Sequence, residues 1–219
     1  MAIETHNIYT EHFVHPTGCP NFTWWECRVG IGRLVPVQST TKMDLAVLQA
    51  AQAVREHFGK SVKINSAYRT SAYNAAVGGS KASQHLYGRA LDIKVSDVDP
   101  IAVGLYIDTL PYWAGGKGGL GVYSTDEGTG GFVHLDTRET KSRWISSNGK
   151  STVSVSAIMP TVKKGSNGSA VTILQRKLGL TADGICGAKT VAAIQAAQRS
   201  HGLTADGICG AKTWAAIVA

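Results

Sequence analysis

The sequence lacks any run of about 18 or more apolar residues, the minimum length for a membrane-spanning helix. Its N-terminus, MAIETHNIYTEHF, also lacks the basic and then apolar stretches of a secretory signal peptide. We therefore expect a chain that contacts no membrane and is made in the cytoplasm of a cell. Any action outside that cytoplasm would need another route of release.

Cysteine is scarce, and the four cysteines lack the Cys-x-x-Cys spacing of a zinc finger. Cys19 and Cys27 lie near the N-terminus, whereas Cys186 and Cys209 occupy matching positions in a repeat. The pattern is compatible with disulfides in an extracellular protein and equally with buried free thiols. The disulfide state therefore stays open at this point.

Acidic residues are scarce towards the C-terminus, where residues 160–219 contain two Asp/Glu and seven Lys/Arg. This segment carries a charge of +5 out of the formal +7 of the whole chain. A basic segment favours an anionic partner, and both nucleic acid and bacterial wall polymers are anionic. A charge that serves only solubility is the alternative.

Apolar residues make up 43% of the chain, enough to bury a core, and the sequence contains an internal repeat. GLTADGICGAKT occurs at 179–190 and again at 202–213, an offset of 23 residues. Apolar helical patterns precede the first copy and follow both copies. Three helices joined by two Asp-Gly turns are therefore predicted.

Residues 146–169 are rich in Ser, Gly, Thr and Lys, a composition that is typical of a linker. We accordingly predict a first domain over residues 1–150, a linker over 151–161 and the three-helix domain over 162–219. The two domains are expected to fold independently.

The first domain combines helical and strand patterns. A helix is predicted over 40–59, with Thr41 and Asp44 resembling a capping box at its start. The segments SVKINS, RALDIKVS, GGLGVYS and GFVHLDTR favour strands, whereas SAYNAAVGG and the residues after Asp99 favour short helices. We predict an α+β domain in which helices pack on an antiparallel sheet.

Three potential metal ligands occur in this domain. His85 precedes a turn marked by Gly88, Asp92 lies in the strand that follows, and His134 lies in a later strand. Two imidazoles and one carboxylate suit a tetrahedral zinc ion with one position left for water. Such an ion polarises a carbonyl and lowers the pKa of its water towards about 7, so hydrolysis is the predicted chemistry.

The segments around these residues resemble the zinc D-alanyl-D-alanine carboxypeptidase family, whose relatives include the amino-terminal domain of sonic hedgehog. The resemblance covers residues 40–138, and it rests on a Ser-x-His element, a Gly-x-Ala-x-Asp element and a later His. A Ser-x-Tyr-Arg element precedes them. The matching residues are Ser66, Tyr68, Arg69, Ser83, His85, Gly88, Ala90, Asp92 and His134.

The resemblance implies one zinc ion bound by His85, Asp92 and His134. It also implies that Arg69 binds a substrate carboxylate or steadies an oxyanion, since a guanidinium group suits both tasks. A structural salt bridge is the alternative for Arg69. Ser83 is expected to orient His85 or the substrate, or else to cap the turn.

The general base is where this sequence departs from the family. Many relatives carry Glu or Asp three residues before the second histidine, and Gly131 stands at that position here. Asp136 is the predicted acid/base substitute, because it lies two residues beyond His134 on the same face of a strand. A supporting contact to a zinc-bound histidine is the other role open to Asp136. Asp126 and Glu127 are alternative bases.

The C-terminal segment resembles the peptidoglycan-binding domain family over residues 162–219. The resemblance rests on VKKGSNGSAVTILQRKLGL, the turn from Asp183 to Thr190 and the closing GLTADGICGAKTWAAI. It implies bacterial peptidoglycan as the partner and assigns no individual wall-contacting residue. Nucleic acid is the less favoured partner, and salt-dependent retention on DNA would be its signature.

Together the two resemblances imply an endolysin-like zinc peptidase that cuts peptide bonds of peptidoglycan. D-Ala–D-Ala and D-Ala–diamino acid bonds are favoured over L-Ala–D-Glu. A bacterial wall-remodelling carboxypeptidase and a non-catalytic, zinc-stabilised wall-binding protein are the alternatives. We expect a monomer that is made in the cytoplasm of a bacterial host and reaches the wall by a holin-type route.

Overall fold

A computed structural model describes residues 3–7, 11, 14–27, 40–124, 131–147, 151–155, 159 and 161–218 of the chain. The strands within these residues are β1 (Ile3–Asn7), β2 (Thr40–Asp44), β3 (Val62–Ser66), β4 (Ala90–Val95), β5 (Gly119–Ser124), β6 (Gly131–Asp136), β7 (Ser142–Ser147) and β8 (Ser151–Val155). The α-helices are α1 (Leu45–Phe58), α2 (Ser71–Ala76), α3 (Pro100–Thr109), α4 (Pro111–Ala114), α5 (Ser169–Lys177), α6 (Ala188–Ser200) and α7 (Ala211–Val218). Short 3-10 helices occur at Trp24–Cys27 and Gln84–Tyr87.

The mixed class of helices and antiparallel strands that the sequence predicts is confirmed. The described residues divide into two compact units. The first is drawn from residues 1–96, 109–119 and 133–141, and the second from 97–108, 120–132 and 142–219. Within the described part of the chain, no helix combines the length and the hydrophobicity that crossing a membrane requires.

The helix predicted over 40–59 in fact begins at Leu45, so the prediction for its N-terminal end is wrong. The residues before it form β2, which pairs antiparallel with β1, because β-branched threonines favour a strand. The Thr41 hydroxyl donates to the Cys27 carbonyl at 2.7 Å, which removes it from any capping box. Asp44 is the N-cap, since its carboxylate accepts a hydrogen bond from an amide in the first turn.

In the first unit, β3, β4 and β6 are neighbours in that order, and each adjacent pair is antiparallel. Helix α1 contacts both β3 and β4. Its buried side chains, Val47, Leu48, Ala51 and Val54, repeat at helical spacing and meet the buried residues of those strands. This core holds β4 in place, and β4 and β6 carry two of the three predicted metal ligands.

In the second unit, β5, β7 and β8 are neighbours in that order, and β7 pairs antiparallel with β8. Strand β8 takes up the first residues of the segment predicted to be a linker, so residues 151–155 form a strand that pairs with β7. The alternating Thr-Val-Ser-Val pattern, which favours a strand, outweighs the Ser-rich composition on which the linker prediction rested. The domain limits themselves stay a prediction.

The three helices predicted for the C-terminal segment are present as α5, α6 and α7, and the two repeat copies form equivalent turns. Gln175 Nε2 donates to Asp183 Oδ1 at 2.7 Å, and Gln198 Nε2 donates to Asp206 Oδ1 at 2.7 Å. The side-chain oxygen of each glutamine accepts from the glycine amide that follows the aspartate, at 2.8 and 2.9 Å. Both buried glutamines are therefore satisfied by the same set of hydrogen bonds.

All four cysteines lie in the described residues, and each is a buried free thiol. Burial raises the pKa of the Cys209 thiol to about 12 and the pKa of Cys27 further still. Because a thiolate is the reactive form, neither side chain is a nucleophile at neutral pH. Of the two states that the sequence left open, the structure therefore has buried thiols.

Candidate metal centre

His85 lies in the 3-10 helix Gln84–Tyr87 and is 2% exposed. Its Nδ1 donates a hydrogen bond to the Ala67 carbonyl, 2.6 Å away, which fixes the ring and leaves Nε2 with a lone pair. His85 Nε2 is buried 3.3 Å from Asp92 Oδ1 and has no hydrogen-bond partner among the described residues. A buried nitrogen without a partner is costly, and a metal ion would satisfy it.

Strand register brings Asp92 and His134 together. In the antiparallel pair of β4 and β6, Asp92 lies directly opposite His134, so both side chains leave the same face of the sheet. His134 Nδ1 is 2.8 Å from Asp92 Oδ1, whereas Asp92 Oδ2 accepts from Arg69 Nη2 at 2.7 Å. One carboxylate oxygen therefore faces both histidines, and a guanidinium group holds the other.

The three predicted ligands thus converge on one point. His85, Asp92 and His134 each offer a ligand atom, and these atoms all lie within 4.8 Å of one another. Two imidazole nitrogens and a carboxylate oxygen form the donor set of a zinc site that keeps an open position. The chemistry of the donors fits a bound metal ion, and so does the absence of a described hydrogen bond at His85 Nε2.

Asp136 lies behind His134 on the same strand face. Its Oδ2 accepts a hydrogen bond from His134 Nε2 at 3.0 Å, and its Oδ1 accepts from the Gly119 amide at 2.9 Å. The Arg138 guanidinium forms an ion pair with the same carboxylate, at 2.6 Å from Nη2 to Oδ2. Asp136 is fully buried, so each of its oxygens is committed to protein donors.

Charges at this centre are strongly coupled. Burial by itself raises the pKa of Asp92 and of Asp136, but hydrogen bonds from His134 hold both pKa values well below the usual range. Burial lowers the pKa of His134, but its contacts with Asp136 and Asp92 raise the pKa to about 9. Each ring nitrogen of His134 faces a carboxylate oxygen, and a metal ion that binds at Nδ1 would displace the proton from that nitrogen.

Arg69 and Ser83 both lie beside the cluster in sequence and in structure. Arg69 Nε donates to Ser66 Oγ at 2.8 Å while Nη2 holds Asp92, so the salt bridge that the sequence left as an alternative is present. Ser83 occupies the N-cap position of the 3-10 helix, but its hydroxyl makes no cap hydrogen bond to the described backbone. The Ser83 side chain therefore does not cap this 3-10 helix.

The position at which many relatives carry the general base is Gly131, the first residue of β6. Asp126 and Glu127, the alternative bases, lie outside the described residues. Asp136, the preferred substitute, is near enough to contact His134, and it does so through the histidine nitrogen that faces away from Asp92.

Arg138 and Gly119 also contact this centre, and neither was predicted from the sequence. Arg138 is two residues beyond Asp136, so the alternation His134, Asp136, Arg138 on one strand face was a usable indication of an ion pair. Gly119 had no such indication, because its partner is distant in sequence. A Cβ at residue 119 would lie 2.2 Å from Asp136 Oδ2, so only glycine lets its amide approach this carboxylate.

Gly88 closes the turn that carries His85, and we expect Gly88→Ala to destabilise the first unit by more than about 2 kcal/mol. The residue has φ 69°, and an added Cβ would lie 2.3 Å from the Lys42 carbonyl oxygen of β2. Alanine would therefore meet both a left-handed backbone and a steric clash. Thermal unfolding of the full-length variant measures the loss.

Gly59→Ala is the matched control. Gly59 has φ 60° at the end of α1, but no described heavy atom lies within 4 Å of the position that a Cβ would take. This variant should lose only the cost of placing alanine in a left-handed backbone conformation, roughly 1 kcal/mol. Equal losses in the two variants would show that the contact between Gly88 and Lys42 contributes nothing.

Two protein-family models match the chain. The model described as Peptidase M15 matches residues 22–136, and the model described as Putative peptidoglycan binding domain matches residues 167–217. The first match spans more than half of the 219 residues and contains all three residues of the candidate metal centre.

A comparison with curated proteins finds no match. Among solved structures, the crystal structure of Burkholderia AP3 phage endolysin is similar at 43% identity, with a TM-score of 0.27. This similarity covers 27% of the present chain and 25% of the endolysin chain, so most of each molecule lies outside it.

Proposed function

We propose that this chain, which belongs to the peptidase M15 family and carries a peptidoglycan-binding domain, is a zinc-dependent peptidase of the bacterial cell wall. The observation that carries the proposal is the buried cluster of His85, Asp92 and His134. Both imidazoles are fixed by hydrogen bonds from their outer nitrogens, and the inner atoms match the donors that zinc prefers. Zinc held there supplies Lewis-acid activation of water and of an amide carbonyl.

Arg69 is assigned two tasks. Its Nε and Nη2 hold Ser66 and Asp92, and the remaining Nη1 has no partner in the described part of the chain. The side chain is 15% exposed, so Nη1 is available to a substrate carboxylate or to the oxyanion that develops during hydrolysis. The Ser83 hydroxyl, which caps no described amide, is available to the substrate in the same way.

Asp136 is assigned to positioning and not to proton transfer. A general base needs a lone pair that can reach the substrate or its water. The Asp136 carboxylate is fully buried and is shared by His134, Arg138 and the Gly119 amide. Its role is to hold the His134 ring so that Nδ1 faces Asp92. Asp126 and Glu127 stay the candidates for the base.

The proposed substrate is the stem peptide of peptidoglycan or its cross-link. A guanidinium group beside the cluster suits a carboxylate close to the scissile bond, which favours D-Ala–D-Ala and D-Ala–diamino acid bonds over L-Ala–D-Glu. The peptidoglycan-binding domain raises the effective concentration of the enzyme on an insoluble polymer. This pairing supports an endolysin-like enzyme that is made in the host cytoplasm and acts on the wall after release.

A non-catalytic, zinc-stabilised wall-binding protein is the second candidate, and one observation favours it. Gly131 offers no carboxylate at the position where many relatives carry the base, and the neighbouring Asp136 is fully engaged. If no other acidic group reaches the cluster, zinc would stabilise the fold without supporting turnover.

The test is mass spectrometry of the material released from purified peptidoglycan, with and without a zinc chelator. We expect new peptide termini that disappear on chelation and return when zinc is added back, because hydrolysis would depend on the metal ion that the three side chains bind. The masses of these termini identify the bond that is cut.

Each other outcome removes a defined part of the proposal. Firm binding to zinc and to the wall with no released peptide would overturn the peptidase and leave the binding protein. Release that is insensitive to chelation would overturn the metal dependence. Cleavage at L-Ala–D-Glu alone would contradict only the choice of bond.

A further inference from the structure

The second copy of the repeat borders a cavity of about 500 Å³ in the second compact unit. Its walls come from the turn that follows α6, from the beginning of α7 and from the segment before the first repeat copy. The side chains that matter for recognition are Thr161, Leu203, Thr204, Asp206, Ile208 and Lys212. Hydroxyl groups, one carboxylate, one ammonium group and two apolar side chains therefore share one cavity.

The two charged side chains of the cavity differ in what they can offer a ligand. Asp206 Oδ1 accepts from Gln198 Nε2 at 2.7 Å and from the Ile208 amide at 2.8 Å, so the turn itself holds this oxygen. Lys212 is exposed and has neither an ion pair nor a hydrogen bond among the described residues. The cavity therefore presents the positive charge of Lys212 without a described ion-pair partner, whereas the Asp206 carboxylate is fixed in the turn through one of its oxygens.

Apolar surface lies next to this charge. Ile208 is 42% exposed, although it follows Gly207 in a tightly bonded turn, and it lines the same cavity. An exposed large apolar side chain beside an unpaired cation is the arrangement that a ligand with a short alkyl group and a carboxylate would satisfy. Alanine residues with a neighbouring carboxylate have this chemistry.

We propose that this cavity binds the peptide stem of peptidoglycan, with a stem carboxylate at Lys212 and an alanyl methyl group against Ile208. The proposal rests on the proposed function, in which peptidoglycan is the substrate, and it names the part of the polymer that the C-terminal module recognises. The positive charge of residues 160–219, +5, favours the same anionic part. The stem carries free carboxylates, whereas the N-acetylglucosamine units of the glycan are neutral.

The repeat supplies its own control, because Lys189 in the first copy occupies the position of Lys212 in the second. Both follow the sequence GICGA, both are exposed, and both lie in the first turn of a helix. A β-bridge between Val162 and Cys209 places Thr161 next to the second copy, whereas the bridge to the first copy is made by Asn167 with Ile185. Thr161 and Lys212 line the same cavity, so the two copies have different neighbours.

The experiment is co-sedimentation of the full-length protein with purified peptidoglycan at low temperature. We compare the wild type with Lys212→Glu, Lys212→Gln and Lys189→Glu. We expect Lys212→Glu to weaken binding about tenfold or more, Lys212→Gln to weaken it less, and Lys189→Glu to change it less than about twofold. A soluble stem tetrapeptide that ends in D-Ala should compete with the wall, and chitotetraose should not.

Equal losses in Lys212→Glu and Lys189→Glu would overturn the proposal, because only general charge would then matter. Competition by chitotetraose in place of the tetrapeptide would also overturn it and would assign the cavity to the glycan. Hydrolysis of a soluble cross-linked muropeptide is measured in parallel and should be the same in all four proteins. If none of them hydrolyses it, the proposed peptidase function fails, while the binding comparison still decides the role of the cavity.

Discussion

His85→Ala is expected to abolish stoichiometric zinc binding and to lower the release of peptides from peptidoglycan by more than about a hundredfold. Loss of a group that merely supports a metal ligand costs roughly 10- to 100-fold in affinity or activity, so loss of a ligand should exceed that range. His85 is 2% exposed and its inner nitrogen makes no hydrogen bond within the described residues, so a metal ion would supply the partner that this nitrogen lacks. Zinc content by atomic absorption and product release by mass spectrometry measure the two effects.

His201→Ala is the control for this experiment. His201 is an exposed histidine in the C-terminal unit whose Nδ1 contacts only its own helix end, at 2.8 Å from the Ala197 carbonyl oxygen. The control should keep both zinc and activity. Thermal unfolding of metal-free wild type and of metal-free His85→Ala separates loss of the metal from loss of the fold. Full zinc occupancy in a folded His85→Ala protein would overturn the assignment of the centre.

The three candidate ligands could be proposed from the sequence because they lie in short segments whose order and motifs resemble those of a known family. His85 and Asp92 flank the turn at Gly88, and His134 belongs to a strand with clear alternation. The spacing of these residues does not determine the register of the sheet. The pairing of Asp92 with His134 comes from the antiparallel ladder between β4 and β6, which depends on the whole core and not on any one segment.

The supporting contacts were harder to predict, since each joins distant parts of the chain. The Ala67 carbonyl fixes His85, and the Gly119 amide holds Asp136 from 17 residues away. Neither has a sequence signature, because a backbone group is present at every position. The role of Asp136 stays a prediction, although a buried carboxylate with an arginine partner could have been inferred from the alternation that reaches Arg138.

Local conflicts explain where secondary structure was predicted wrongly. Asp44 is a good N-cap, but the predicted helix also includes the threonines before it, and these residues pair with β1. In the C-terminal segment, the predicted repeat, GLTADGICGAKT, is present, but the structural repeat extends further towards the N-terminus. Gln175 and Gln198 are also 23 residues apart, and they are the buried side chains that hold the two turns together.

Asp136→Asn is the second change from which we expect a large effect, and it separates the two roles of this carboxylate. As a positioning residue, Asp136 should contribute to metal affinity, so the amide variant should bind zinc about 10- to 100-fold more weakly. Asparagine keeps the shape but loses the ion pair with Arg138 and the charged acceptor for His134 Nε2. Excess zinc should then restore most of the activity. Competition with a chromogenic chelator measures the affinity, and hydrolysis at saturating zinc measures the remaining turnover.

Asp108→Asn is the matched control, since Asp108 is also paired with an arginine, Arg143, at 2.7 Å in the other compact unit. This variant should lose the stability of one ion pair and keep its zinc affinity. A general base would give the opposite pattern in Asp136→Asn, with unchanged zinc affinity and a loss of roughly 10²- to 10⁴-fold in turnover that added zinc does not repair. That result would return Asp136 to the acid/base role and would make a base from the segment around Asp126 unnecessary. Comparing the loss of zinc affinity with the loss of turnover therefore decides whether the proton is transferred by Asp136 of β6 or by a residue that precedes this strand.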